Sequence, residues 1–152
     1  MSDIRTVWDP QHSRGDYVMA GAELLDGHDL ETAVLISLFT DRLAAADDEI
    51  PDGTADRRGW WGDDQPDGNV DLIGSRLWLL DRRVAPTQKT LNDAINYARE
   101  ALQWMIDDGV AASVNANAAW NAPNFLALQV TIFKTDGTTP VSLKYQLLWD
   151  NL

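Results

Sequence analysis

An acidic chain offers carboxylate pairs first, and here 24 Asp and Glu stand against 12 Lys and Arg, for a formal charge of −12. Two carboxyl groups facing each other in a cleft can hydrolyse a glycosidic bond, one giving a proton while the other attacks or activates water. That work requires one acid whose pKa is raised by burial. Glu49 with Asp52, and Glu49 with Asp63, are the candidate pairs. Both lie in an acidic, turn-rich segment with no sign of a cleft, and so many acids make chance pairs common. The run Asp63, Gln65, Asp67, Gly68, Asp71 follows the first part of a calcium loop. Its last position is Gly74 where a bidentate Glu is needed, so a solvated turn is the better reading.

The other reactive residue types are sparse or badly placed. His12 and His28 are the two histidines and sit in no metal-ligand spacing. Ser13, Ser37, Ser75, Ser113 and Ser142 lack the G-x-S-x-G setting of an activated nucleophile. There is no phosphate-binding Gly-rich loop and no convincing dinucleotide fingerprint. The absence of cysteine excludes disulfides, thiolate metal sites and a thiol nucleophile. The residue types therefore predict no catalytic site, no cofactor and no metal.

What the chain has in excess suits contact between proteins. Arg outnumbers Lys nine to three, and its planar fork matches carboxylates at interfaces. Trp occurs seven times, at positions 8, 60, 61, 78, 104, 120 and 149, and offers a large flat contact with one polar handle. The candidate interface residues are Arg57, Arg58, Trp60 and Trp61 in a central loop, with Tyr145 and Trp149 near the C-terminus. The negative charge disfavours a nucleic-acid backbone and an anionic membrane. It suits a basic partner, or simply a solvated surface. No stretch reaches the ~18 apolar residues of a membrane span, and Met1 to Trp8 carries Asp3 and Arg5 with no apolar run, so neither a secretory signal nor an anchor is expected.

The elements that must position these residues follow from periodicity. Leu91, Ala94, Ile95, Ala98, Ala101, Leu102, Met105 and Ile106 recur at helical spacing, predicting an amphipathic helix from Thr90 to Gly109. Thr90 is the expected N-cap and Gly109 the left-handed stop. Asp107 and Asp108 oppose the dipole at that end, and local propensity does not explain them; a partner cation would. Leu126, Leu128, Val130 and Ile132 alternate with neighbours, Asp136-Gly137 offers a turn, and Val141 to Trp149 alternates again. This predicts a C-terminal hairpin over 125–149, with Val110 to Ala116 a candidate third strand. The chain reads as one α+β domain, 1–152, its central helix packed on a small sheet. Residues 1–20 read as an extended arm with a strand near Asp16 to Met19. A helix is expected over Leu30 to Phe39, capped by Asp29, with a buried strand as the rival. Residues 40–71 read as an ordered, packed loop, because burying two adjacent Trp offsets much of its ordering entropy. Leu72 to Arg83 reads as a short helix ended before Pro86.

Several segments carry a resemblance. Asp3-Ile4-Arg5-Thr6, Thr40-Asp41-Arg42, Arg57-Arg58-Gly59-Trp60-Trp61-Gly62-Asp63, Gly74-Ser75-Arg76-Leu77-Trp78-Leu79-Leu80 and Glu100-Ala101-Leu102-Gln103-Trp104-Met105-Ile106-Asp107-Asp108-Gly109 together resemble Mu-like phage tail proteins. That family is similar to the T-even phage baseplate wedge subunit sometimes called lysozyme-like, and to the matching type VI secretion component. The resemblance implies a structural protein of the virion tail baseplate, assembled in the host cytoplasm, with six copies per ring. It implies docking onto larger wedge subunits, a small sheet that templates the first ring of tail sheath subunits, and the central spike or hub as a further neighbour. The T-even and type VI relatives carry a Glu-Pro-Arg triplet between their helices. Glu49-Ile50-Pro51 is the nearest fragment here, so docking is assigned as an expectation to the Arg and Trp pairs instead. A small tail-associated cell-wall hydrolase using an acid pair in the 47–71 segment is the alternative, and a sugar-binding module stacking on Trp60 and Trp61 is a third. An assembly protein differs from both in exposing strand edges and apolar patches when alone.

Overall fold

The computed structural model describes residues 4–24, 28–63, 72–80, 86–123 and 125–148. Its centre is the strand with the cleanest alternation. In β6 (Phe125–Lys134), Leu126, Leu128, Val130 and Ile132 are fully buried while the residues between them are half-exposed. β6 is the middle of a three-stranded antiparallel sheet, between β5 (Ala111–Ala122) and β7 (Val141–Leu148). The register builds rows across its inner face: Ala116 with Val130 and Leu143, Ala118 with Leu128 and Tyr145, Trp120 with Leu126 and Leu147. The hairpin and its third strand are thus as expected, with β5 running six residues further than the candidate span.

Two helices cover that face. α2 (Gln88–Asp107) lies mainly over β5 and buries Ala94, Ala98, Ala101, Leu102 and Met105. Alanines on the helix meet Ala111 and Ala116 on the strand, and small residues on both sides let the backbones approach closely. α1 (Asp29–Phe39) sits toward β7, where Phe39 meets Tyr145 edge-on with ring centroids 5.3 Å apart. Trp104 of α2 links the helices, its indole donating to Ser37 Oγ at 3.0 Å.

Both N-caps differ from expectation. Helix α2 starts earlier: Thr87 is the cap, its hydroxyl accepting from the Thr90 amide at 3.2 Å. Thr90 falls at helical spacing before Ala94, Ala98 and Ala101, so packing draws it into the core, 5% exposed, and leaves the capping to Thr87. In α1 the cap position is His28, left-handed with no side-chain cap, and Asp29 is the first helical residue. Asp29 then acts through its charge at the positive end of the dipole. Gly109 stops α2 at φ 74°, as the sequence predicts.

The N-terminal arm folds back on itself. β1 (Thr6–Asp9) pairs with β2 (Arg14–Tyr17), and β3 (Met19–Ala20) with β4 (Glu23–Leu24). The single strand expected near Asp16 to Met19 is therefore split between two hairpins. The Asp9 carboxylate organises the first turn, accepting from the Gln11 and His12 amides and from the His12 ring at 2.6 Å. The His12 hydrogen bond is the main reason its pKa is lowered. His12 is thus a turn residue.

The helix expected over Leu72 to Arg83 is, in the described part, a 3₁₀ turn (Arg76–Leu80) with Leu77 to Leu80 buried. Gly74 sets its approach. At φ 96°, its α-carbon lies so close to the end of α1 that an added Cβ would sit 2.2 Å from the Thr40 carbonyl oxygen. Gly74→Ala combines that clash with left-handed strain and is expected to destabilise the fold by about 3 kcal/mol, read as a fall in the urea midpoint at unchanged m-value.

Candidate assembly interface

The loop from residue 40 to 63 carries most of the predicted interface residues, and polar contacts hold it in place. Ser75 makes a parallel bridge with Asp41: its amide donates to Thr40 O at 2.9 Å, and its carbonyl accepts from Arg42 N at 3.0 Å. The Ser75 hydroxyl also donates to Leu38 O. The Trp78 indole donates to Arg42 O at 2.8 Å. These contacts tie the first residues of the loop to the 3₁₀ turn.

Arg76 ties down the next part. Its Nε donates to Glu100 Oε2 of α2 at 2.9 Å, and its Nη1 donates to Asp48 Oδ2 at 2.9 Å, while its guanidinium lies 4.8 Å from the Tyr97 ring centre. Burial alone would lower the Arg76 pKa. The hydrogen bonds to Glu100 and Asp48 outweigh that and hold it above the usual range. Asp48 also accepts from the Ala45 amide at 2.8 Å, so a single carboxylate closes a turn and receives a cation.

Arg57 and Arg58 part company. Arg57 donates to the carbonyls of Ala45 and Ala46 and so staples the two arms of the loop together. Arg58, at φ 52°, pairs with Asp41 at 2.8 Å and stacks on Trp78 at 4.5 Å while remaining part-exposed. The Trp pair is also divided. Trp60 is half-buried and covers Gly62 so closely that no Cβ would fit there. Trp61 is 85% exposed, which corrects the expectation that both indoles pack. Because carbonyls and carboxylates already order the loop, burial of Trp61 is not needed for that. Leu43, beside Gly59, and Ile73 add further exposed apolar surface, which no periodicity in the sequence marks.

The C-terminal candidates are placed differently. Tyr145 is 8% exposed and belongs to the core. Trp149 lies outside the described residues, as do residues 64–71 of the calcium-loop resemblance. The acid pairs gain no site. Glu49 and Asp52 are exposed, Asp52 accepting from the Thr54 amide and hydroxyl, and Asp63 accepts from the Ile73 amide. Neither of two surface grooves, of about 340 and 350 Å3, is lined by any of the three. Among the described residues no group of three or more acids and histidines is placed to hold a metal ion, and no helix is long and apolar enough to cross a membrane.

The two sheet edges are equally part of the surface. Trp8 stacks on Phe39 at 3.8 Å and its indole donates to Gln146 O of β7 at 2.8 Å. A side chain reaching that carbonyl from outside the sheet means that Gln146 faces away from β6, and so, by alternation, do the backbone groups of Lys144 and Ser142. The same alternation carried through β6 turns those of Val114, Ala116 and Ala118 outward on β5.

A domain with a pinned, aromatic-bearing loop and an outward-facing strand edge is of the kind that joins larger assemblies, and known proteins similar to it include a baseplate protein. The family model for phage protein GP46 matches residues 30–139, and the chain belongs to this family of Mu-like phage baseplate proteins. It is 43% identical over 138 residues to the baseplate protein gp46 of Escherichia phage Mu, covering 91% of each chain. It is 38% identical over 139 residues to the Mu-like prophage FluMu protein gp46 of Haemophilus influenzae, covering 91% of this chain and 92% of that one.

Two outcomes check this description. Arg76→Ala leaves Asp48 and Glu100 facing each other without their cation and is expected to cost about 2–3 kcal/mol, whereas Trp61→Ala stays within about 0.5 kcal/mol in the same urea titration. Burial raises the Tyr145 pKa, with Glu31 adding to it, so the folded state resists ionisation that the unfolded chain undergoes near pH 10. Stability is then complete below about pH 10 and falls above it, and Tyr145→Phe is expected to flatten that fall in urea midpoints measured from about pH 8 to 11.

Proposed function

We propose that the protein is a structural subunit of the baseplate of a Mu-like contractile tail. It docks onto larger wedge subunits through the 40–63 loop and offers a strand edge of its sheet to the first ring of tail sheath subunits. The observation that carries this is the three-stranded sheet with β6 in the middle, whose outer strands turn backbone donors and acceptors outward. Such an edge receives a strand from another chain by main-chain hydrogen bonds. The name of the Mu relative, a baseplate protein, supports the setting. Arg58, Trp61 and Leu43 supply what interface hot spots use: a fixed cation, a large aromatic and an apolar neighbour. Six copies per ring, the spike or hub as neighbour, a place in the virion tail and assembly in the host cytoplasm belong to the same proposal. So does the absence of hydrolase activity, since Glu49 and Asp52 are exposed and neither they nor Asp63 line a groove.

The test is binding of the purified chain to the wedge and sheath subunits of its own phage. Trp61→Ala is expected to weaken wedge binding by about 10-fold or more with the fold intact. Failure to bind either subunit, or peptidoglycan turnover lost in Glu49→Gln, overturns the proposal.

A further inference from the structure

The two edges of the sheet are not equivalent. The β7 edge is already engaged: Trp8 reaches across to the Gln146 carbonyl, and Thr6, Val7 and Trp8 wall a groove against Leu143 to Gln146. It also carries Lys144, and a lysine on an edge opposes strand addition. Among the described residues β5 has none of these defences. Its twelve residues include no charge and no proline, and its register shifts fall only near its ends.

A shelf overhangs the β5 edge. At 100° per residue, Ile95 and Ile106 fall on the side of α2 opposite Trp104. Trp104 reaches α1, and α1 lies toward β7, so Ile95 and Ile106 overhang the other side, beyond β5. Ile106 is 36% exposed, and Val110, where the chain enters β5, is 43% exposed. At the same end stand Asp107 and Asp108. Among the described residues neither has a cation partner, although both oppose the dipole of the helix they end.

We infer that the outer edge of β5, roofed by Ile95 and Ile106 and headed by Asp107 and Asp108, is the edge that takes a strand from another subunit. The inference rests on the strand-addition reading above and specifies its site and occupant. The occupant is an extended segment with apolar side chains at alternate positions, which pack under the isoleucine shelf beside Val114 and Ala118. A Lys or Arg at one end of the segment meets the two aspartates. The β7 edge stays closed by Trp8.

The experiment measures binding of the tail sheath subunit of the same phage to the full chain and three variants. Ala118→Pro removes an outward-facing N–H and no ladder bond, and is expected to weaken binding by about 10-fold or more, while Lys144→Pro, the matching change on β7, alters it less than about 2-fold. The double variant Asp107→Asn/Asp108→Asn, which leaves the strand untouched, is expected to weaken binding and flatten its salt dependence. In the wild-type complex the amides of Ala116 and Ala118 exchange more slowly with solvent. Loss of binding in Lys144→Pro with retention in Ala118→Pro, unslowed amides in a formed complex, or self-association through β5 in place of sheath binding overturns the inference and leaves the baseplate reading standing. No sheath binding by the wild type overturns the sheath reading itself.

Discussion

Arg76 is the contact on which the surface of this protein depends. One guanidinium joins Asp48 in the loop to Glu100 in α2 and lies against Tyr97. Its neighbours Gly74 and Ser75 fix the start of the same loop to the end of α1. Arg suits this place better than Lys, because two carboxylates approached from different directions need a fork with donors on several edges. Residues 40–63 contain little regular structure of their own, and these contacts hold them against the helices.

That arrangement separates order from burial. A loop usually repays its conformational entropy by burying apolar side chains. Here charge-assisted bonds and bonds to backbone carbonyls do much of that work, through Arg57, Asp48 and Ser75. Trp61 can then stand in solvent on a fixed backbone. A preordered aromatic loses little freedom on meeting a partner, which is the condition for a strong contact in a small interface. The same logic applies to the sheet. Its inner face is closed by two helices, so the outer strands are rigid before any other chain arrives.

Membership of a baseplate family gives these features a common setting. A baseplate protein assembles with other baseplate components. The loop and the strand edge lie on different elements, and the core formed by β6, α2 and α1 joins them. Acids among the described residues fit this picture as surface and turn residues: Asp9 and Asp52 each organise a local turn, Asp48 anchors Arg76, and Asp107 and Asp108, at the head of β5, have no cation partner among the described residues.

The sequence by itself determined the α+β class, the long helix, its stop at Gly109 and the C-terminal strands, because those rest on hydrophobic periodicity and on one glycine's freedom to take positive φ. It misplaced the caps, since Thr87 and Thr90 are equal candidates until packing claims one of them. It joined Arg57 with Arg58 and Trp60 with Trp61 as like pairs, and only the folded chain shows that one member of each pair turns inward. It took Tyr145 as surface, where the T-shaped contact with Phe39 makes it core. Arg76, the isoleucine shelf and the closing of the β7 edge by Trp8 were decided by tertiary structure alone. Each depends on segments far apart in the chain meeting in space, and no local pattern records such a meeting.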